Sequence, residues 1–317
     1  MMSMKAMLIK KYGNPDEFYL GNTNKPTIKE DEILIKVYGS SVNPVDTSIR
    51  KGYLKSFVRL KLPAILGVDA SGEVVEAGKS VRKFKVGDKV YAFMGISNNG
   101  GYGEFISIPE TFAAKIPDNL DVTEAGVVPG VGMTAYEAFT IHAPVKIGMK
   151  VLIIGATGGV GTYAIQIAKY LGAEVTAVCR SEKVNLARLL GADYVVDYKS
   201  QNILSTKERY DVVLNCVRGI GFGKIKSLLK SGGKSIVIAG SPLELPFIKL
   251  SNLFSSKKTI PFFVKTDGTI LERLSQLIQA GHVKPVIDKI YSWKELSEAH
   301  ICVERGGVTG KIGISVD

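Results

Sequence analysis

A glycine-rich segment, Gly155-Ala156-Thr157-Gly158-Gly159-Val160-Gly161, has the residue types and spacing to bind a pyrophosphate. It lies directly after an apolar run and directly before a segment with apolar residues at helical spacing. Because glycine has no Cβ, Gly158 and Gly159 let backbone N–H groups approach phosphate oxygens, and Gly161 lets a helix pack closely on a strand. The positive end of the helix dipole would then face the phosphates. The segment therefore predicts a dinucleotide site; the alternative is a plain tight turn.

The residues after the next apolar run indicate which dinucleotide is bound. That run, residues 175–178, is followed by Cys179-Arg180-Ser181-Glu182-Lys183. An acidic residue at the strand end would hold the ribose 2′-hydroxyl of NADH and repel the 2′-phosphate of NADPH. Here the first charged residue is a cation, and charge-assisted hydrogen bonds from Arg180 or Lys183 would favour the phosphate. We therefore predict NADPH. Glu182 opposes this prediction, and the alternative is that the run is only the solvated first turn of a helix.

The elements that would position these residues alternate between strands and helices. Between about residues 150 and 240, short apolar runs are separated by amphipathic stretches, which predicts a parallel sheet with crossover helices. The runs are residues 151–154, 175–178, 211–214 and 235–238. A helix is predicted over residues 160–171, and two further helices are expected to end before Gly191 and Gly232, since glycine commonly follows the end of a helix.

The first 120 residues have a different pattern, in which short strands are separated by glycine, proline and asparagine turns. Strands are predicted over residues 32–37, 72–77 and 89–92. A helix over residues 269–280 and apolar segments over 283–291 and 311–316 would return to this β-rich domain. The predicted boundaries are 1–122 and 266–317 for the β-rich domain and 123–265 for the nucleotide-binding domain, with a cleft between the two.

Composition and charge exclude several classes of protein. The chain has 317 residues, of which 45% are hydrophobic and 22% charged, so it is not a disordered chain. The longest uncharged stretch is interrupted by glycines and predicts soluble core rather than a membrane span, and the N-terminal residues resemble no secretory signal, so the expected location is cytoplasmic. The three cysteines form no CxxC pair and predict reduced thiols. The net charge of +11 is scattered, which disfavours nucleic acid as a partner without excluding it.

Six short segments, each present once, follow one another along the chain in a recognisable order. They are Asn43-Pro44-Val45-Asp46, residues 66–72 (LGVDASG), residues 100–105 (GGYGEF), residues 132–136 (GMTAY), the glycine-rich segment and Gly310-Lys311-Ile312. In this order and spacing they resemble the quinone oxidoreductase branch of the medium-chain dehydrogenase/reductase superfamily, over essentially the whole chain. The resemblance implies an α/β fold, with a GroES-like β-rich catalytic domain and a Rossmann domain whose parallel sheet is doubly wound. It also implies a homodimer, commonly formed through the nucleotide-binding domains.

The resemblance also implies positions for individual cofactor contacts. Thr134 is expected at the nicotinamide end, Tyr198 beside the adenosine, and Arg180 and Lys183 near the 2′-phosphate. The remaining members of the predicted cofactor-binding set are Ala156, Thr157, Gly158, Gly159, Val160, Ser181, Asn215, Gly240, Ser241, Phe262, Phe263 and Lys311.

The zinc-dependent alcohol dehydrogenases of the same superfamily carry a cysteine near the start of the first segment and Gly-His-Glu in the second. This chain has Asn43 and Gly67-Val68-Asp69 there, so we predict no metal site, since catalytic zinc needs three protein ligands. The candidate catalytic residues are Asn43 and Tyr53, as donors to a developing enolate, and Asp46. Water is the alternative source of the final proton. The alternative roles are a turn former for Asn43 and a helix cap for Asp46.

Together these observations predict an enzyme that transfers a hydride from NADPH to a quinone or an α,β-unsaturated carbonyl compound. Such acceptors need little Lewis-acid assistance, because the charge moves to a distant carbonyl oxygen. Two alternatives stay open. An enoyl-thioester (enoyl-CoA) reductase of the same fold could contact coenzyme phosphates through Lys55, Arg59 and Lys61, for which the favoured alternative is a solvated basic surface. A low-turnover nucleotide- or RNA-binding relative would account for the net charge of +11.

Overall fold

The computed structural model describes residues 2–238 and 242–317, and its contacts divide the chain into two compact units. The first unit contains the residues up to Met133 together with Lys265–Gly281 and Pro285–Asp317. The second unit contains Thr134–Val264 and His282–Lys284. In sequence, the second unit is therefore inserted between parts of the first.

The chain contains sixteen described strands and eight described α-helices. The strands are β1 (Ser3–Ile9), β2 (Phe18–Asn24), β3 (Glu32–Val42), β4 (Ala64–Ile65), β5 (Asp69–Ala77), β6 (Lys89–Phe93), β7 (Phe105–Pro109), β8 (Ala113–Lys115), β9 (Lys150–Ile154), β10 (Glu174–Cys179), β11 (Tyr194–Asp197), β12 (Tyr210–Asn215), β13 (Leu229–Val237), β14 (Lys258–Pro261), β15 (Ile287–Ser292) and β16 (Lys311–Ser315). The α-helices are α1 (Pro44–Arg50), α2 (Pro129–Glu137), α3 (Gly159–Tyr170), α4 (Val184–Leu189), α5 (Phe222–Ser227), α6 (Leu245–Leu253), α7 (Gly268–Gln279) and α8 (Leu296–Arg305).

The first unit is built on a three-stranded sheet, in the order β2-β1-β4, and a seven-stranded sheet. The larger sheet has the order β15-β16-β3-β5-β6-β8, and β7 pairs with β3. Both neighbours of β3 along this order, β16 and β5, run antiparallel to it, with Ile312 opposite Val42 and Ser71 opposite Gly39. The C-terminal end of β3 therefore meets the first residues of β5 and β16. This register brings three distant parts of the sequence to one place.

The second unit is a single six-stranded sheet in which every pair of neighbouring strands is parallel. Its order, β11-β10-β9-β12-β13-β14, is the doubly wound order of a Rossmann domain. The four apolar runs predicted as strands form β9, β10, β12 and β13, and the predicted first helix is α3. Because the strand order reverses at β9, ligands of this fold bind at the carboxyl ends of β9 and its neighbours. The glycine-rich segment follows β9 directly.

The prediction of a helix that ends just before Gly232 is wrong. Helix α5 ends at Ser227, and β13 passes through Gly232, whose φ is +75°. The register between β12 and β13 shifts at this point, between the pairs formed by Tyr210 and by Val212. Glycine allows this local irregularity because it adopts positive φ without a Cβ clash.

Candidate active site

The glycine-rich segment forms the turn between β9 and α3. Gly155 has a φ of +80°, in the left-handed region that favours glycine. A Cβ on Gly161 would lie 2.3 Å from the carbonyl oxygen of Gly155, so only glycine lets α3 approach the turn this closely. The side chains of Ala156 and Thr157 between them are buried. The turn is therefore held in shape by close backbone contacts.

The N-terminal end of α3 fits a pyrophosphate. Gly158 is the N-cap residue, with extended backbone and no side-chain cap. A Cβ there would meet only the Gly155 carbonyl oxygen, at 3.6 Å, and Gly158, Gly159 and Val160 are half-buried, so a ligand can reach them. The first N–H groups of a helix have no intrahelical acceptor and carry partial positive charge. Phosphate oxygens would satisfy these groups.

Arg180 and Tyr198 lie together beyond the end of β10. The Nε of Arg180 donates to the Tyr198 hydroxyl over 2.7 Å, and the Tyr198 backbone N–H donates to the carbonyl of Cys179 over 3.1 Å. Both side chains are exposed, and Lys183 is half-buried in the following turn. The guanidinium of Arg180, the phenol of Tyr198 and the ammonium-bearing Lys183 therefore all lie in the segments around the carboxyl end of β10. In this fold the adenosine ribose of a dinucleotide lies at that end.

An acidic residue that the sequence reasoning missed lies beside this turn. Asp197 is the last residue of β11 and is paired in register with Cys179. Its Oδ2 accepts a hydrogen bond from the Ser181 hydroxyl over 2.6 Å, and its Oδ1 accepts one from the Lys199 backbone N–H over 2.9 Å. These bonds, that of Ser181 first, lower the pKa of Asp197. No local sequence signal marks Asp197, because its position depends on the pairing of β10 with β11.

Two predicted contacts toward the nicotinamide are buried side chains. Thr134, in α2, is buried, and Asn215, at the end of β12, is buried with its Oδ1 accepting from the Val217 backbone N–H over 3.2 Å. Two others, Gly240 and Ser241, lie outside the described residues. The cofactor contacts of all four stay predictions.

The two phenylalanines of the predicted set differ in exposure. Phe262, directly after β14, is buried, and its ring lies against that of His142 with 4.3 Å between the ring centroids. Phe263 is 78% exposed. Only the second ring is therefore available to a ligand without rearrangement of the unit.

A buried polar network joins the ends of β3, β5 and β16. Asn43 follows β3; its Nδ2 donates to Asp69 Oδ2 over 2.8 Å, and its Oδ1 accepts from Lys311 Nζ over 2.7 Å. The Ser41 hydroxyl donates to the same Asp69 oxygen over 2.6 Å, and the Gly130 backbone N–H donates to Oδ1 over 2.8 Å. Asn43, Asp69 and Lys311 are all buried. Both ends of the Asn43 amide are thus engaged inside the protein.

Lys311 brings a positive charge into this network. Its Nζ also donates to the Val42 carbonyl over 3.0 Å. Burial lowers the pKa of Lys311, and the carboxyls of Asp69 and Asp46 oppose that change. The hydrogen bonds place this side chain in the interior of the first unit; its predicted cofactor contact stays a prediction.

Asp46 caps helix α1. Its Oδ2 accepts from the Asn43 backbone N–H over 2.8 Å, and the Asn43 side chain completes a capping box with the backbone of Asp46. The helix-cap interpretation is therefore confirmed. Burial raises the pKa of Asp46 to about 7, against the lowering effect of the Asn43 hydrogen bond. The charge of the nearby Asp69 contributes to this rise in the pKa, and the charge of Lys311 opposes it.

The raised pKa of Asp46 predicts a pH-dependent part of the stability. The folded protein holds the Asp46 proton more tightly than the unfolded chain does. The stability that this proton contributes is therefore complete below the ordinary pKa of 3.8 and is lost as the pH rises through about 7. Asp46→Asn keeps an acceptor for the cap and cannot ionise. We expect its unfolding free energy, minus that of wild type, to be roughly 2–4 kcal/mol higher at pH 8 than at pH 4, which means a relatively more stable variant at pH 8. Urea unfolding of both proteins at both pH values measures this; an unchanged difference would contradict it.

Two tyrosines of the first unit, Tyr53 and Tyr102, differ in exposure. Tyr53, the predicted proton donor, lies in the turn after α1 and is 75% exposed. Tyr102 is buried; its hydroxyl donates to the Ser41 carbonyl over 3.1 Å and lies 3.4 Å from Nε2 of His300. Burial, followed by the charge of Arg50, lowers the pKa of His300 to about 3, so this imidazole is neutral at pH 7. The sequence reasoning missed Tyr102 and His300, which meet only in the folded unit.

The network does not fit a catalytic zinc. Within residues 2–238 and 242–317, no group of three His, Cys, Asp or Glu side chains could hold a metal ion. Both oxygens of Asp69 accept hydrogen bonds, and the buried ammonium of Lys311 near it would repel a metal cation. A catalytic zinc needs three protein ligands, and the described residues bring no such group of three together.

Fold and site together define a dehydrogenase/reductase with a dinucleotide-binding Rossmann unit, and comparison with known proteins agrees. A model of the alcohol dehydrogenase GroES-like domain matches residues 29–118, and a zinc-binding dehydrogenase model matches residues 190–312. The chain is 36% identical to the chloroplast envelope quinone oxidoreductase homolog of Arabidopsis thaliana, over 90% of each protein. It is 33% identical to the chloroplastic NADPH-dependent alkenal/one oxidoreductase of the same plant, over 98% of this chain and 78% of that one. The quinone oxidoreductase from Coxiella burnetii matches with a TM-score of 0.90 and 28% identity, over 100% of both chains.

The chain belongs to the quinone oxidoreductase-like branch of the medium-chain dehydrogenase/reductase superfamily. The α/β fold class expected from the sequence, with a GroES-like and a Rossmann domain, is confirmed. The protein is an NAD(P)H-dependent oxidoreductase. Among the described residues, no helix has the length and apolar character needed to span a bilayer. The predicted cytoplasmic location stays a prediction.

Proposed function

We propose that this protein transfers a hydride from NADPH to a quinone or an α,β-unsaturated carbonyl compound without a metal. The choice of NADPH as the cofactor rests on the hydrogen-bonded pair of Arg180 and Tyr198 beyond β10, with Lys183 in the following turn. A guanidinium forms paired, charge-assisted hydrogen bonds with phosphate oxygens, and the Tyr198 hydroxyl holds this one in place. Bound NADPH supplies the hydride.

The acceptor half of the proposal rests on the residues of the first unit. A conjugated acceptor needs positioning and a donor at its carbonyl oxygen, where negative charge develops, rather than a Lewis acid. Because the amide of Asn43 is engaged by Asp69 and Lys311, we assign Asn43 and Asp46 to positioning the start of α1. The exposed hydroxyl of Tyr53 is the proposed donor, and the final proton comes from Tyr53 or from water. The names of the quinone and alkenal/one oxidoreductase relatives support this substrate class.

A second candidate, reduction of an enoyl thioester, is favoured by one surface loop. Lys55, Arg59 and Lys61 are all exposed between α1 and β4, in the same loop as the exposed Tyr53. Three cations on one loop could pair with the phosphates of a coenzyme A ester. The hydride chemistry would be the same, so the substrate must be distinguished by rate.

An acceptor panel tests the proposed function. NADPH consumption is followed at 340 nm with quinones, including 9,10-phenanthrenequinone, and with enones, crotonyl-CoA and aldehydes, and NADH is run in parallel. We expect the highest kcat/KM with a quinone or an enone. A higher kcat/KM with crotonyl-CoA would favour the second candidate, and no turnover of any acceptor would contradict both.

We also propose a homodimer formed through the outer edge of the sheet in the second unit. β14 is the last strand, and within the described residues it pairs only with β13. Helix α6 packs near β14 and exposes Phe247 by 64% and Leu250 by 56%, and Phe254, just after it, is 84% exposed. Large apolar side chains beside an unpaired strand edge are typical of a protein interface. A second copy satisfies both features, because two identical edges can pair about a two-fold axis.

Light scattering after size exclusion tests the dimer. We expect twice the chain mass of 34.2 kDa for wild type and a monomer for Phe254→Glu, because a buried carboxylate at the interface is unpaired. Leu189→Glu is the matched control, since Leu189 is 85% exposed on α4, and it should stay dimeric. A monomeric wild type, or a dimeric Phe254→Glu, would contradict this interface.

A further inference from the structure

The direction of the hydrogen bond at Ser181 determines what this residue offers to a ligand. A hydroxyl has one proton, and Ser181 donates it to Oδ2 of Asp197 over 2.6 Å. Only lone pairs are then left on its oxygen. In this state Ser181 can accept a hydrogen bond from a ribose hydroxyl, and it cannot donate one to a phosphate.

Asp197 is held in the orientation that keeps Ser181 in this state. Its other oxygen, Oδ1, accepts from the Lys199 backbone N–H, and its own carbonyl accepts from the Ser200 hydroxyl over 3.2 Å. Its backbone is fixed by parallel pairing with Cys179, at the end of β10. The Asp197 carboxylate is therefore hydrogen-bonded to Ser181, the residue that follows Arg180. The ribose 2′ substituent of a dinucleotide is expected beside these two residues.

Resting on the NADPH site of the proposed function, we propose that Asp197 is a positioning residue that limits the preference for NADPH over NADH by acting through Ser181. While Asp197 accepts from Ser181, the hydroxyl suits the ribose 2′-hydroxyl of NADH. Arg180 and Lys183 favour the phosphate of NADPH. The two effects oppose each other, so the wild-type preference is smaller than the two cations alone would give.

The isosteric variant Asp197→Asn reverses the hydrogen bond. The Lys199 N–H still requires an acceptor, so the amide oxygen occupies the place of Oδ1 and the amide nitrogen faces Ser181. Ser181 then accepts from Asn and its own proton is free for the 2′-phosphate. Removing the negative charge acts in the same direction. We expect KM for NADPH to fall about tenfold, while KM for NADH and both kcat values stay within about twofold of wild type.

Two further variants make the test specific. Glu208→Gln removes one charge from an exposed residue that precedes β12, at the amino ends of the parallel strands and not at the carboxyl ends where Ser181 and Asp197 lie, and it should leave the ratio of the two KM values unchanged. In a Ser181→Ala background, Asp197→Asn should lose most of its effect, since the donor is gone. An unchanged ratio in Asp197→Asn, or the same shift with and without Ser181, would overturn the proposal. A wild type that prefers NADH would contradict the NADPH assignment, but the change caused by Asp197→Asn would still be measurable.

Discussion

Replacing Gly161 by alanine is expected to weaken NADPH binding by at least about 100-fold. The new Cβ would lie 2.3 Å from the Gly155 carbonyl oxygen and 2.6 Å from Ala156 Cα, and both contacts are with backbone that has little room to move. The N-terminal end of α3 must therefore shift away from the turn. Its N–H groups would no longer converge on the phosphates, and this convergence is what the turn provides. Isothermal titration calorimetry with NADPH measures the loss.

Two glycine variants control for this result. Gly223→Ala, in α5 of the same unit, meets nothing within 4 Å and should bind NADPH as wild type does. Gly158→Ala has only one neighbour, at 3.6 Å, so the fold should be kept, while the methyl group reduces access to the phosphate site and weakens binding by about tenfold. The Gly158→Ala variant still tests the role of the turn if Gly161→Ala fails to fold. Binding by Gly161→Ala at wild-type affinity would contradict the role of the turn.

Replacing Lys311 by methionine is expected to lower the unfolding free energy by about 3–5 kcal/mol. Methionine keeps much of the volume of the side chain but removes the ammonium. The Asn43 Oδ1 then loses a donor at 2.7 Å and the Val42 carbonyl one at 3.0 Å. The buried Asp69 also loses the positive charge near it. Unpaired buried polar groups and charges are among the few causes of a loss this large.

Urea unfolding at pH 7 measures the Lys311→Met effect against the same substitution on the surface. Lys79→Met lies in an exposed turn of the first unit and should change the unfolding free energy by less than about 0.5 kcal/mol. A cost below about 1 kcal/mol for Lys311→Met would mean that the buried ammonium contributes little to the network.

The parts of the site that were predictable are local in sequence. The glycine-rich turn is a continuous segment between β9 and α3, so the order of apolar run, glycines and helix contains the whole signal. The same holds for Arg180, which follows β10 directly. The helix end before Gly232 was wrong because a glycine with positive φ is equally useful inside an irregular strand.

The parts that could not be predicted depend on pairings between distant strands. Asn43 meets Lys311 only because β16 pairs with β3, and Asp69 joins them through β5. The sequence alone marked Asn43 as a donor to substrate, whereas the structure directs its amide into the protein. Asp197 was missed for the same reason, since its approach to Ser181 requires the register of β10 and β11.

The central claim is that the end of β10, with Arg180, Tyr198 and Lys183, together with the turn before α3, binds NADPH. Calorimetric titration of the purified wild-type protein with NADPH and, separately, with NADH tests it most directly. We expect NADPH to bind about tenfold more tightly, because the 2′-phosphate adds charge-assisted hydrogen bonds. No binding of NADPH, or tighter binding of NADH, would contradict the claim.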